Sequence, residues 1–153
     1  MYIFDRSEVL LGKDALEKLK DSSVAVFGVG GVGSYTVEAL VRGGIGKLFL
    51  FDGDVVSQTN INRQLVATTK TIGMDKVSVA AKHCLEVNPD VEVHSEKIFF
   101  NVENASDIDF SQFDYVVDAI DTVSSKLLLI EKAKAVSIPV ISCMGAGNKL
   151  DPT

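Results

Sequence analysis

Val24-Ala-Val-Phe-Gly28-Val-Gly-Gly-Val-Gly33-Ser34 passes from an apolar run through closely spaced glycines into a helical stretch. A strand that turns this way into a helix is the phosphate-binding turn of nucleotide-binding α/β domains. Gly28, Gly30, Gly31 and Gly33 are therefore candidate nucleotide contacts. They let the backbone approach a phosphate and let the helix pack close to the strand. The start of that helix offers unpaired N–H groups and a partial positive charge. Ser34 stands where a Walker-type loop carries lysine, so phosphate charge must be met from elsewhere.

Outward from this turn, strands and helices alternate. Ser7–Lys20 reads as a helical region broken near Gly12, with Leu16 and Leu19 on one face, inside an N-terminal helical extension spanning 1–22. The core, 23–153, begins with a buried strand, Ser23–Phe27. An amphipathic helix over Gly31–Arg42 ends at Gly43-Gly44, and Lys47–Phe51 is the second strand. Gly53–Thr71 is a long connection with a helical turn around Asn60–Leu65; connections of that length in a compact domain are usually functional. Met74–Glu86 is a helix closed by Asn88-Pro89, and Val91–Ile98 alternates as a strand. Asp114–Ile120 is almost continuously apolar, as a parallel strand covered on both faces must be. Ser124–Val136 is a helix and Ile138–Cys143 a fifth strand. The fold class is α/β: a Rossmann-like, doubly wound, mainly parallel sheet with helices on both faces. Ligands of such sheets bind beyond the carboxyl ends of the strands. That puts the glycine loop, Asp52, the Asp118–Asp121 turn and the Cys143–Gly147 turn on one rim.

The chain has 153 residues, 46% of them hydrophobic, enough for one domain with a real core. No apolar run approaches the ~18 residues of a transmembrane helix, and the N-terminus lacks the layout of a signal peptide. The two cysteines, Cys84 and Cys143, form neither a disulfide framework nor a metal clip, so a cytoplasmic location is expected. A net charge of −6 argues against a generic nucleic-acid coat.

Several polar residues follow the loop. Asp52 ends the second strand, where an acid hydrogen-bonds ribose in NAD and adenosine-phosphate enzymes alike, with Asp54 in support. A triphosphate needs cations, and Asn60-x-x-Arg63-Gln64 followed by Lys76 supplies them. Alone, Arg63 or Lys76 would read as a solvated surface residue; their place after the long connection favours phosphate. Asp121 can hold Mg²⁺ together with phosphate oxygens, or serve only the helix N-terminus, while Asp118 reads as structural. His83 and His94 have no nucleophile motif beside them. Cys143 reads as a small buried residue at a strand end rather than a catalytic thiol. Arg6 has no role readable from the residues alone. No Tyr-x-x-x-Lys pair occurs. A carboxylate attacking a phosphate fits, because it is ionised at neutral pH and needs no general base. An NAD-dependent oxidoreductase would use the glycine loop and Asp52 but leave Arg63, Lys76 and Asp121 idle.

Gly28-x-Gly-Gly-x-Gly33, Asp52-x-Asp54, Asn60-x-x-Arg63-Gln64, Gly73-x-x-Lys76 and Asp118-x-x-Asp121 together resemble the adenylyltransferases related to ubiquitin-activating enzymes, of the ThiF/HesA/MoeB type. The resemblance implies a homodimer that binds ATP and Mg²⁺, joins AMP to a carboxylate and releases pyrophosphate. It implies that Asp52 holds ribose, that Asn60, Arg63 and Lys76 hold the phosphates and that Asp121 holds the metal. It also implies that Arg6 reaches the partner subunit's ATP site. Arg6-Ser-Glu, Ala119-Ile-Asp-Thr-Val-Ser-Ser-Lys126 and Ser142-Cys-Met-Gly-Ala-Gly-Asn-Lys-Leu-Asp-Pro-Thr153 are similar to the tRNA threonylcarbamoyladenosine dehydratase subgroup. The substrate so implied is a threonylcarbamoyl carboxylate on tRNA, which cyclises after activation. The alternative acceptor is the C-terminus of a ubiquitin-like sulfur-carrier protein, with a desulfurase partner. Members of the family continue beyond the position of Thr153, so a C-terminally shortened chain is expected, with any zinc-binding cysteines in the missing part.

Overall fold

A computed structural model of the chain describes residues 3–144. Two helices open it, α1 (Asp5–Leu11) and α2 (Lys13–Asp21), separated at Gly12. There follow β1 (Ser23–Phe27), α3 (Gly33–Gly43), β2 (Lys47–Phe51), α4 (Lys76–Val87), β3 (Glu92–Glu96), β4 (Tyr115–Asp118), α5 (Val123–Ala135) and β5 (Val140–Ser142). All strand pairs are parallel, in the order β3-β2-β1-β4-β5. The direction of winding reverses between β1 and β4, and a crevice opens there at the carboxyl ends of the strands.

Strand periodicity divides the core into two layers. Val24 and Val26 of β1, with Leu48 and Leu50 of β2, face Val37 and Val41 of α3 and Val77, Ala80 and Cys84 of α4; Leu19 of α2 packs against the same cluster. The alternate residues, Ala25, Phe27, Phe49 and Phe51, face Leu129 and Ala133 of α5 and Phe100, Phe110 and Phe113 from the segment before β4. Phe27 stacks on Phe51 with centroids 4.4 Å apart and meets Phe100 edge-on at 5.1 Å. All five residues of β1 are buried, as expected of a central strand covered on both faces.

The differences from the sequence-based expectations lie at element ends. The strand expected over 91–98 is confined to Glu92–Glu96 and mostly exposed, because β3 is an edge strand. The helical turn expected around Asn60–Leu65 is a single turn in which the Arg63 and Gln64 N–H groups donate to the Asn60 carbonyl at 3.1 and 2.9 Å, and a 3₁₀ turn over Gln58–Asn60, where Ser57 and Asn60 cap each other, precedes it. α4 starts at Lys76 rather than Met74: Asp75 is extended and bridges Val55. β5 starts after Pro139, which has no N–H to give the ladder, and β4 ends at Asp118. Among the described residues, no helix is long and apolar enough to cross a membrane.

Candidate functional site

A cleft of about 960 Å³ lies at the crevice between β1 and β4. Gly28, Gly30 and Gly31 form one side of it, and Asp52 and Asp54 from the end of β2 a second. Asn60, Arg63, Gln64 and Lys76 come in from the long connection and the start of α4, and Asp121 from the turn after β4. Residues distant in sequence are thus brought around one glycine loop.

The loop tolerates no side chain at its two critical points. Gly28 has φ 91°, and a Cβ there would lie 2.6 Å from the Ala119 carbonyl oxygen. A Cβ on Gly33 would lie 1.7 Å from the Gly28 carbonyl oxygen. Gly33 does not line the cleft; its part is to let α3 start directly against β1. Ser34, which replaces the Walker lysine, is buried and accepts a hydrogen bond from the Leu65 N–H at 3.2 Å. It ties the start of α3 to the Asn60–Gln64 segment.

Asp52 is held by backbone. Its Oδ2 accepts from the Val29 N–H at 2.7 Å and its Oδ1 from the Asp54 N–H at 2.8 Å. A carboxylate has about four acceptor positions, so this one keeps capacity for hydroxyl groups in the cleft. Asn60 is buried and uses its Oδ1 to accept from the Ser57 N–H at 3.0 Å. Arg63 is exposed, its alkyl stem close to Gly31. One of its terminal nitrogens donates to the Thr59 carbonyl at 2.9 Å and to Asn62 Oδ1 at 3.1 Å. The guanidinium fork has five N–H donors, which leaves others for a ligand. Gln64 is 7% exposed beside Gly30, with its Oε1 unpartnered within the protein. A buried amide oxygen left unpaired is costly, and a water or ligand in the cleft would satisfy it.

Lys76 is more enclosed than a rim residue would be. At the first turn of α4 it is 5% exposed, and its Nζ donates to Asp54 Oδ2 at 2.7 Å. Asp121 is exposed and only weakly engaged, by the Thr122 hydroxyl at 3.4 Å. A free carboxylate facing the cleft suits Mg²⁺, which keeps most of its coordination for water and phosphate oxygens. No cluster of three metal-ligating side chains occurs among the described residues. Arg6 lies on the exposed surface of α1 and does not line its own chain's cleft.

Cys143 is exposed and lines the cleft, which corrects the expectation of a buried residue. It follows β5, the last strand of the sheet among the described residues. Cys84 is the buried thiol; burial, reinforced by Glu38, pushes it up to about 11, so it is no nucleophile at neutral pH. His83 pairs with Glu38 at 2.6 Å, and His94 stacks on Phe49. The Gly145–Gly147 end of the expected rim lies outside the described residues.

Sequence reasoning missed two features. Phe99, 63% exposed, lines the cleft with Ile98 and Asn101 and covers Gly53 so closely that a Cβ there would lie 2.4 Å from its ring. The apolar run Ile98-Phe-Phe100 after β3 was the available signal, since an aromatic beyond a strand's carboxyl end sits on the ligand rim. The second is Lys126, 4% exposed, paired with the fully buried Asp118 at 3.0 Å. It closes the stretch Ala119–Lys126 quoted above, but its burial depends on the Asp118 carboxylate at the end of β4, which no local pattern shows.

Known proteins resemble the chain in sequence and in fold. The model of the ThiF family matches residues 4–151. The chain is 45% identical over 153 residues to the tRNA threonylcarbamoyladenosine dehydratase of Bacillus subtilis, covering 100% of this chain and 60% of that protein. It is similar to the crystal structure of the E. coli tRNA N6-threonylcarbamoyladenosine dehydratase in complex with ATP. That match has a TM-score of 0.93 and 38% identity, over 97% of this chain and 61% of the other. At lower similarity, it is 36% identical over 140 residues to the Kluyveromyces lactis adenylyltransferase and sulfurtransferase UBA4, covering 92% of this chain and 31% of that protein. The chain thus spans about three fifths of the length of the dehydratases it matches.

Proposed function

The chain belongs to the ThiF family, and on that premise we propose that it uses ATP to activate a carboxylate by adenylylation. The carboxylate oxygen attacks the α-phosphorus, the bond to the β-phosphate oxygen breaks, and pyrophosphate leaves. The acceptor we propose is the threonylcarbamoyl group of a modified adenosine in tRNA; ring closure then releases AMP with the activated oxygen. The observation that carries the reading is the meeting of Arg63, Lys76 and Asp121 over the glycine loop in one cleft. The relatives named tRNA threonylcarbamoyladenosine dehydratase, one with ATP bound, support it.

Within the reading, Asp52 holds ribose, Asp54 supports it through Lys76, and Asn60, Arg63, Gln64 and Lys76 meet the phosphates. Asp121 holds Mg²⁺, which would supply charge compensation for the leaving pyrophosphate. Charge supports the metal. The cleft sets two cations, Arg63 and Lys76, against three carboxylates, Asp52, Asp54 and Asp121. Polyphosphate entering such a site needs further positive charge. Mg²⁺ gives part of it. Arg6 from a second copy of the chain gives more, in a homodimer in which α1 covers its exposed Val9, Leu10 and Leu11. Two free cysteines suit a cytoplasmic location.

Pyrophosphate release from ATP and Mg²⁺ by the whole protein, dependent on tRNA carrying the threonylcarbamoyl group, is the expected result. The similarity to UBA4 favours one second reading, adenylylation of a sulfur-carrier protein. AMP transfer to a carrier ending in Gly-Gly, with no response to tRNA, would select it. Tighter binding of NAD than of ATP and Mg²⁺ would remove both.

A further inference from the structure

We propose that Lys126 is a positioning residue for the Asp121 carboxylate, acting through the backbone of Ile120; this rests on the ATP-activation reading above. Asp121 has little of its own to hold it, a 3.4 Å contact from Thr122. Three groups of the backbone before it are held. The Ile120 N–H donates to Asp118 Oδ1 at 3.1 Å, and the Ile120 carbonyl accepts from Lys126 Nζ at 2.8 Å. The Ala119 N–H donates to the Phe27 carbonyl at 2.8 Å, which fixes the same turn to the end of β1 beside the glycine loop.

The ammonium is shared. Lys126 Nζ also donates to Asp118 Oδ2 at 3.0 Å, and that oxygen accepts from the Ser142 hydroxyl at 2.5 Å. The Asp118 carbonyl in turn accepts from the Cys143 N–H at 2.9 Å. One buried charge pair therefore joins the end of β4, the second turn of α5, the end of β5 and the turn carrying Asp121. As a source of stability such a pair is weak, because two desolvated charges roughly cancel their attraction. As a clamp it is specific. Only a long donor with several protons reaches a carboxylate and a carbonyl at once, and an apolar side chain of equal volume would leave the carbonyl of Ile120 without its partner.

Asp118→Asn combined with Lys126→Met removes both charges at nearly constant volume and tests the role. In the whole protein the double variant is expected to stay folded and to bind ATP without metal as the wild type does. Amide exchange in the peptide spanning 119–126 is expected to speed up. The Mg²⁺ concentration for half-maximal pyrophosphate release should rise and kcat fall about 10²-fold, the scale of a carboxylate misplaced by about 1 Å. Lys126→Arg keeps the charge and the donors. It is expected to fold, to keep the 119–126 exchange near wild type and to retain more of the Mg²⁺ response than the double variant. Wild-type exchange and Mg²⁺ dependence in the double variant, or an Arg variant whose exchange in that peptide is as fast as when charge and donors are gone, overturns the proposal. If the double variant does not fold, the Arg variant decides alone by the same exchange measurement. A wild type that releases no pyrophosphate under any condition removes the ATP reading instead, and the exchange measurement still decides the clamp.

Discussion

Lys76 donates to Asp54 across 2.7 Å at the floor of the cleft, the lysine side chain 6% exposed and the aspartate 53%. The buried ammonium is thus held ready, with its counter-ion on the solvent side. An incoming phosphate can share it without first dragging it from water.

From that pair follows a contrast with Arg63. Lys76→Ala and Arg63→Ala should each weaken ATP binding by ~10- to 100-fold, the worth of one charged hydrogen bond of about 1.5–3 kcal/mol. Stability should separate them. Arg63 is exposed and its loss should leave Tm within about 1 °C, whereas Lys76→Ala strips a buried stem and should lower Tm by roughly 2–4 °C per kcal/mol lost. Isothermal titration and thermal melts of both variants check this; equal Tm values would contradict the burial argument.

Gly33→Ala should be among the most damaging single-methyl changes in the chain, since the new Cβ would meet a backbone carbonyl at 1.7 Å with no flexible neighbour to yield. A loss of at least about 1–3 kcal/mol is expected from overpacking. Gly43→Ala, at the end of the same helix with nothing within 4 Å of its Cβ, is the control. It should be neutral or gain up to about 1 kcal/mol from helix propensity. Urea unfolding of the pair reads both numbers.

Phe99→Ala should raise the Kd for ATP several-fold while leaving the fold intact, because the ring is mostly exposed in the cleft and offers a face to a nucleobase. Stacking on an aromatic is worth about 1–3 kcal/mol per base. Inorganic triphosphate, which has no base, should bind Phe99→Ala and the wild type equally well. A loss of triphosphate affinity equal to the loss for ATP would contradict base stacking.

Acid should loosen the contact between α3 and α4 through Glu38. Burial works against its ionisation, but hydrogen bonds from Arg42 and His83 outweigh this and hold its carboxyl below the usual range. A depressed folded-state pKa stabilises above the unfolded value, and that contribution disappears as pH falls through the folded one. Stability of the wild type should therefore drop more steeply on the acid side than that of Glu38→Gln. Parallel acid limbs in the two denaturation curves would rule the pair out as a contributor.

The apolar run at Val24–Phe27, the glycines after it and the helical periods that follow are local patterns, and they specified a parallel, doubly wound sheet with its ligand edge at the carboxyl ends. The grouping of Asp52, Arg63, Lys76 and Asp121 could be anticipated because in such a sheet every strand's carboxyl end lies on one edge. Depth and pairing depend on what covers a residue, and the covering group is often far away in the chain. Cys143 is exposed on the cleft among the described residues, Lys76 is enclosed with its ammonium on Asp54 from another segment, and Lys126 is buried where Asp118 and Ser142 come together from two strands. Periodicity and glycine stereochemistry act over a few residues and can be read along the chain; desolvation and charge pairing are properties of the packed whole.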